Sequence, residues 1–336
     1  MSESTIHDVA KRAGVSIATV SRALTGGDVV SEETKAKVLE AAQQLQYQVN
    51  SHARSLRSAR SHTVALLVSD VRNPFFAQLA HRVQTDLAAR GFATFIGSAA
   101  ESTERQDQYL TTLLRQRVDG VIVTPQGGDS RVLHQIIDQG IPVVFVDRTA
   151  EGVDVPSVDS DPTPGMKSAI EALFGAGHHK VGFVAGPLGT STGRDRLTQF
   201  EKLAAPVFGE TNALVAHGGL DEDQAESAVE YLLSEGVDAL MFGYAPNTFV
   251  ALRMLHKRGM VPGRDIGVVS FDDIEAFMLL DPPISVISQQ VDELGATAVR
   301  MLTELMRQGS PESKRIPTSF ISRPSVGLTA SIRSDK

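Results

Sequence analysis

The segment that decides the fold lies near the amino terminus, where residues 5–24 read Thr5-Ile6-His7-Asp8-Val9-Ala10-Lys11-Arg12-Ala13-Gly14-Val15-Ser16-Ile17-Ala18-Thr19-Val20-Ser21-Arg22-Ala23-Leu24. Apolar residues recur at helical spacing on either side of Gly14, which predicts two short helices joined by a tight turn. A third helix is predicted over residues 32–45, after the capping residue Ser31. This arrangement favours a helix-turn-helix, although an ordinary three-helix interaction bundle that binds no nucleic acid has the same pattern.

The start of the second helix carries side chains suited to reading DNA. In a helix-turn-helix this end enters the major groove. Ile17 can contact a thymine methyl group, the small Ala18 allows close approach, and Arg22 can donate two hydrogen bonds to a guanine. The hydroxyl-bearing residues that can reach phosphates, and so set the register of binding, are Thr5, Ser16, Thr19 and Ser21.

Composition restricts the class of protein. The 336 residues, 42% of them hydrophobic, suffice for about two domains with full cores. The net charge is −8, but residues 1–62 hold eight Lys/Arg against six Asp/Glu, which is compatible with a DNA-facing head on an acidic body. Zero cysteines exclude disulfides and thiolate metal sites. Because metal-binding and nucleotide-loop motifs are also missing, we expect no cofactor and no metal.

No membrane or export signal is visible in the sequence. Apolar runs such as residues 64–68 are far too short to span a bilayer, and the polar first residues do not resemble a signal peptide. The sequence therefore predicts a cytoplasmic protein without a membrane partner.

From about residue 62 onward, short apolar runs alternate with amphipathic stretches. The strand-like runs are residues 64–68, 93–97, 120–123, 143–146, 181–185, 214–216, 239–242 and 267–271. Continuous apolar runs suit strands buried on both faces, so the alternation predicts parallel sheets covered by helices. Eight or more such units favour two Rossmann-like lobes, with a (β/α)₈ barrel as the alternative.

Several strings identify the chain as similar to a known family. In the head they include Thr5-Ile6-His7-Asp8-Val9-Ala10, Thr19-Val20-Ser21-Arg22 and Ala53-Arg54-Ser55-Leu56; in the body they include Asn73-Pro74-Phe75-Phe76 and Phe271-Asp272-Asp273-Ile274. These strings resemble the lactose/galactose repressor (LacI/GalR) family. The resemblance implies a helix-turn-helix domain at residues 1–48, a hinge helix and linker at 49–61, and an effector-binding and dimerisation domain at 62–336. It also implies a two-lobed body like a periplasmic sugar-binding protein, which excludes the barrel.

The resemblance further implies a function. The protein is expected to be a ligand-responsive transcriptional regulator, a repressor rather than an enzyme. It would bind a pseudo-palindromic operator in double-stranded DNA as a homodimer, under the control of a sugar or other small hydroxylated effector. Residues 50–59 are too polar and short to form a stable helix alone, so they are expected to fold only against DNA. By resemblance, Ala53, Leu56 and Arg57 contact the minor groove there, with Leu56 opening a base step.

The effector is expected beyond the carboxyl ends of the strands, where doubly wound sheets bind ligands. The candidates from strand ends and from the resemblance are Ser69, Asn73, Phe75, Phe76, Asp147, Arg148, Thr192, Arg196 and Asp272. Arg196 and Asp272 would act together on ligand hydroxyls; alternatively, Asp272 caps a helix and Arg196 forms a surface ion pair.

The chain departs from the family pattern at several positions, among them Pro162, which follows Asp161 where an asparagine is common. Thr190 replaces the arginine of purine-responsive members, which disfavours a purine. Tyr244-Ala245 replaces an Asn-Asp pair of many sugar-responsive members, and Leu220 stands where some relatives have an aromatic ring.

A hydrolase is the alternative from another class. Residues 189–193 match the G-x-S-x-G nucleophile elbow between a strand and a helix, and Asp238 and His256 follow in the required order. The motif, however, begins too far beyond the strand end.

Overall fold

The computed structural model describes residues 4–25, 30–47, 61–128 and 130–327. The chain divides into two compact units, Met1–Ser61 and His62–Lys336. In the described residues, no helix combines the length and the apolar character needed to cross a bilayer.

The described part of the first unit, residues 4–25 and 30–47, forms a three-helix bundle of α1 (Ile6–Ala13), α2 (Ile17–Thr25) and α3 (Glu32–Gln44). Gly14 ends α1 in the left-handed conformation, with φ of 67°, where a glycine carries no steric penalty. Ser16 caps α2 by accepting a hydrogen bond from the Thr19 amide at 3.1 Å. Val9, Val20 and Val38 are fully buried at the centre, so each helix contributes to one core. The predicted helices are confirmed to within one residue at each end.

The second unit consists of two α/β lobes. Lobe 1 contains β1 (Thr63–Val68), α4 (Pro74–Ala88), β2 (Ala93–Ser98), α5 (Thr103–Gln116), β3 (Gly120–Val123), α6 (Arg131–Asp138), β4 (Val143–Val146), β5 (Ser157–Asp161), α12 (Val291–Leu305) and β11 (Lys314–Pro317). Lobe 2 contains α7 (Thr163–Gly175), β6 (Val181–Ala185), α8 (Ser191–Phe208), β7 (Ala213–His217), α9 (Glu222–Ser234), β8 (Ala239–Phe242), α10 (Ala245–Lys257), β9 (Gly267–Phe271), α11 (Glu275–Met278), β10 (Ser285–Ser288), β12 (Ser319–Ile321) and a 3₁₀ turn (Pro324–Val326).

The strand order is β11-β5-β4-β3-β1-β2 in one sheet and β12-β10-β9-β8-β6-β7 in the other. Every pairing is parallel except that of β12 with β10. Two separate sheets confirm the predicted two-lobed body and exclude the barrel.

The chain crosses between the lobes three times, after β5, after β10 and between β11 and β12. The crossings lie side by side: the Thr318 amide donates to the carbonyl of Asp161 at 3.0 Å, and Gln290 Nε2 donates to the carbonyl of Pro317 at 3.2 Å. This bundle of crossings holds the carboxyl edges of both sheets at one cleft.

The two lobes repeat one plan. β3 and β8 occupy the same position in their sheets, and each is preceded by an aspartate that accepts hydrogen bonds from backbone amides. Asp119 accepts from the His62 amide at 3.0 Å, and Asp238 accepts from the His179 and Lys180 amides at 2.8 and 3.0 Å. The similar sequences Val118–Val123 and Val237–Phe242 therefore serve the same structural role.

Candidate effector site between the lobes

Two aspartates end equivalent strands on opposite sides of the cleft. Asp147 follows β4 and Asp272 follows β9, and these strands hold the same position in the two sheets. Both residues adopt the left-handed conformation, with φ of 68° and 67°, and are only 3% and 6% exposed. That conformation is costly for residues other than glycine and is concentrated at functional sites. Its presence at both strand ends therefore indicates a functional site in this part of the cleft.

A cavity lies between these strand ends, and we call it the inner cavity. Its empty volume is about 340 Å³, part of it open to solvent. It is lined by Asn73, Phe75, Phe76, Asp147, Arg148, Pro187, Thr192, Gly193, Arg196, Gly243, Tyr244, Asp272 and Gln289. Eight of the nine predicted effector residues are in this lining. Ser69 is not, because it is fully buried and its hydroxyl donates to Gln126 Oε1 at 3.0 Å.

On the lobe 1 side, Arg148 is held by a carboxylate that sequence reasoning missed. Its two terminal nitrogens donate to Glu101 at 2.7 and 2.9 Å. The guanidinium carbon also lies 5.8 Å from the centre of the Phe76 ring. A bidentate pair fixes the plane of the guanidinium, which leaves Nε directed away from Glu101 and 3.7 Å from Asp147 Oδ2.

On the lobe 2 side, Arg196 is buried and stacked. Its guanidinium carbon lies 3.8 Å from the centre of the Phe271 ring, and Nη1 donates to the Gly243 carbonyl at 2.9 Å. Asp272 Oδ1 accepts from Gln289 Nε2 at 2.6 Å, and the cap of the adjacent α11 is Ile274. Neither alternative holds, since Arg196 is not at the surface and Asp272 caps no helix.

Three polar atoms of the lining are buried and have no hydrogen-bond partner among the residues that the structure describes. They are Asp147 Oδ1, Arg148 Nε and Gln289 Oε1. An unsatisfied buried polar group costs roughly 1–3 kcal/mol, so such groups are retained where a ligand or water satisfies them. Two acceptors and one donor in one cavity match the complementary hydroxyl groups of a polyol.

The electrostatics of the cavity are those of a buried, nearly balanced charge cluster. Burial raises the pKa of Asp147 to about 6, against the opposing effect of Arg148 and Arg196. Burial also raises the pKa of Asp272, opposed by Arg196 and the hydrogen bond from Gln289, while it lowers the pKa of Arg196. Glu101, Asp147 and Asp272 supply three carboxylates, whereas Arg148 and Arg196 supply two guanidiniums. A ligand that brings a further negative charge would therefore be unfavourable here.

The segment that matches the hydrolase motif forms the start of a helix instead of a nucleophile elbow. Thr190 caps α8, accepting from the Gly193 amide at 3.1 Å, and Ser191 is the first helical residue. Ser191 Oγ accepts a hydrogen bond from the Thr149 amide at 2.9 Å. Asp238 lies at the amino edge of the sheet, opposite to the carboxyl edge that carries Ser191, so these residues form no triad.

The predicted DNA-reading face of the first unit is presented by α2. Ala18 and Arg22 are exposed, whereas Ile17 is half-buried and packs against the bundle core. Two of the hydroxyls predicted to reach phosphates bond to each other, Ser16 and Thr19 at 2.9 Å, and Thr5 Oγ1 donates to Asp8 Oδ2 at 2.7 Å. Ser21 is half-buried. The hinge residues Ala53, Leu56 and Arg57 lie outside the described residues.

Sequence reasoning missed three members of the site. Gln289 follows a short strand, β10, that has no long apolar run, and Glu101 is 47 residues from its partner Arg148. Tyr244 was noted only as a departure from the family pattern. A glutamine directly after a strand was the one signal available for Gln289.

Comparison with known proteins identifies the class. Residues 61–324 match the family of periplasmic binding proteins and the sugar binding domain of the LacI family. Residues 5–50 match the bacterial regulatory proteins of the lacI family. The chain belongs to the lacI family of bacterial regulatory proteins, which confirms the resemblance found in the sequence.

Individual relatives extend this result. The chain is 32% identical over 325 residues to the ribose operon repressor of Bacillus subtilis (strain 168), covering 95% of this chain and 97% of that protein. It is 29% identical to the transcriptional regulator CelR in complex with cellobiose, with a TM-score of 0.70 and coverage of 96% and 99%. The lac repressor dimer bound to operator and the anti-inducer ONPF is similar in fold, with a TM-score of 0.85, 24% identity and coverage of 97% and 100%.

Proposed function

We propose that this protein is a cytoplasmic, homodimeric repressor that binds a pseudo-palindromic operator. Its proposed effector is uncharged and polyhydroxylated, and a sugar is the class that we propose first. The observation that carries the proposal is the inner cavity in the body of a lacI-family regulator. Asp147 Oδ1, Arg148 Nε and Gln289 Oε1 are buried there and have no hydrogen-bond partner in the described part of the chain. The apolar face of a sugar ring would pack against Phe75 and Phe76, whose rings meet edge to face with centroids 4.9 Å apart.

The charges of the cavity favour a neutral ligand over a phosphorylated or carboxylated one. Both terminal nitrogens of Arg148 are already used by Glu101, and Arg196 donates to Gly243 and stacks on Phe271. An anionic ligand would therefore be repelled by the excess carboxylate charge, and neither guanidinium would be available to bind it through two parallel hydrogen bonds.

The proposed coupling runs through the cleft to the DNA-binding unit. An effector that binds one relative arrangement of the lobes better than the other shifts the population of DNA-competent dimers, typically by 1–3 kcal/mol. The heads would read the half-sites through Ile17, Ala18 and Arg22, while Thr5, Ser16, Thr19 and Ser21 position them on phosphates. Ala53, Leu56 and Arg57 would contact the centre of the operator. The proposal assigns no hydrolytic activity to the protein.

The test combines DNA selection with ligand binding. The purified protein is used to select genomic fragments at a fixed salt concentration, and the selected fragment is then titrated with and without a panel of free pentoses, hexoses and their 6-phosphates. We expect one fragment to be bound at least 10³-fold more tightly than bulk DNA, with a neutral sugar changing that affinity. A response to the phosphates alone, or no preferred fragment in any condition, would overturn the proposal.

A further inference from the structure

A second cavity adjoins the inner cavity, and the two cavities share part of their lining. This outer cavity has an empty volume of about 1000 Å³, also partly open to solvent. Its lining includes Asp70, Arg72, Leu220, Phe249, Arg253 and Ile274. Tyr244 and Asn73 line both cavities. Asn73 caps α4 by accepting from the Phe75 amide at 3.1 Å, so the tyrosine is the larger part of the shared wall.

The position of Tyr244 is fixed at its base. Tyr244 is the residue preceding α10, and the carbonyl of Gly243 before it accepts the hydrogen bond from Arg196. On the other side, Gly186 is so close that a Cβ added to it would lie 2.9 Å from Tyr244 Cβ. Both contacts restrict the backbone that carries the Tyr244 side chain.

The two cavities differ in the ligand that they suit. The inner cavity is the smaller of the two, and most of its lining is polar or charged. The outer cavity combines apolar surface from Leu220, which is 47% exposed, and from Phe249 with the charged rim of the Arg253–Glu222 pair at 2.7 Å. Such a mixed surface would accept a second ring attached to a sugar.

We infer that Tyr244 is a specificity-determining residue that limits the effector to a single sugar ring by closing the inner cavity against the outer one. The inference rests on the proposed function of the same site. Removal of the side chain beyond Cβ would join the two cavities and would leave in place the charged groups that bind the sugar ring in the inner cavity.

The experiment measures the affinity of each neutral sugar that binds, and of its two phenyl glycosides, by isothermal titration calorimetry. The full-length proteins are the wild type, Tyr244→Ala, Tyr244→Phe and the control Tyr231→Ala, which removes a half-exposed tyrosine from α9 outside both cavities. The quantity compared is the ratio of glycoside affinity to free-sugar affinity, because Tyr244→Ala can also weaken the free sugar.

We expect the wild type, Tyr244→Phe and Tyr231→Ala to bind both glycosides at least tenfold more weakly than the free sugar. In Tyr244→Ala, the ratio for one anomer should rise at least tenfold. A wild type that accepts the glycosides as well as the sugar, or a Tyr244→Ala variant that binds the sugar with an unchanged ratio, overturns the inference while leaving the proposed function intact. Failure of the wild type to bind any sugar overturns the proposed function first, and the inference with it.

Discussion

Asp147 illustrates a conflict between binding and stability that can be measured. Its carboxylate is buried at the inner cavity, and none of the described residues forms a hydrogen bond with its Oδ1. Burial raises its pKa from 3.8 to about 6, so at neutral pH the folded protein holds a charge that its environment disfavours. Asp147→Asn keeps the shape and removes that charge. We therefore expect the variant to be more stable than the wild type and yet unable to bind the effector normally.

The size of the effect follows from the pKa shift. A shift of about two units corresponds to about 3 kcal/mol, since each unit is 1.36 kcal/mol, and this is the upper limit of the gain at pH 7. The sign follows from proton binding: the folded wild type takes up the proton below pH 6, before the unfolded chain does so near 3.8. Acidification therefore stabilises the wild type relative to Asp147→Asn. The difference in unfolding free energy between Asp147→Asn and the wild type should fall to about half at pH 5 and nearly disappear near pH 4.

The assay is thermal unfolding followed by circular dichroism at pH 7.5, 6 and 5, because the chain contains no tryptophan for fluorescence. Asp154→Asn is the matched control, since it makes the same chemical change at an exposed position of lobe 1. A variant that is less stable than the wild type at pH 7.5, or a gap that does not depend on pH, would refute the account of Asp147 as a destabilising buried charge.

Four other changes test separate parts of the molecule. Arg22→Ala should relax base preference at one position of each half-site by about 1–3 kcal/mol, read from selection on randomised operators. Leu56→Ala should weaken specific binding far more than binding to random DNA; equal losses would contradict the proposed insertion into a base step. Asp272→Ala should weaken the effector at least tenfold while ligand-free DNA binding is retained, and a normal response would place the site elsewhere. Ser191→Ala removes the hydroxyl that accepts the Thr149 amide and should leave ligand-free DNA binding in place; an esterase activity that the wild type shows and the variant lacks would instead support a hydrolase.

The elements that were predicted correctly are those with a strong local signal. β1, β3, β4, β6, β8 and β9 are almost wholly buried apolar runs, which only a strand between two helical layers accommodates. The missed strands lack that signal. β5 alternates buried and half-buried residues, β10 is a four-residue strand with a serine at each end, and β11 and β12 are short with at most one buried residue each. They form because the neighbouring strand offers them a partner, which local sequence does not reveal.

The same distinction applies to the site. Asp147, Arg148 and Asp272 could be proposed because they follow apolar strands directly, and Asn73, Phe75 and Phe76 because the resemblance covers them. The sequence could not predict that Arg148 pairs with Glu101 or that Asp272 pairs with Gln289, because each pair joins residues that only folding brings together. Ser69 has the same strand-end position as Asp147, but its hydroxyl is taken by Gln126.

The amino-acid sequence by itself determined that a helical head precedes an α/β body, because helix caps, turn glycines and apolar periodicity act over a few residues. It also placed the chain in its family. Only the tertiary structure decided which strand ends face each other across the cleft, which buried polar atoms lack a partner among the described residues, and that Tyr244 lines two cavities. These features depend on burial and on contacts between distant segments, whose energies arise only once the two sheets have been brought together.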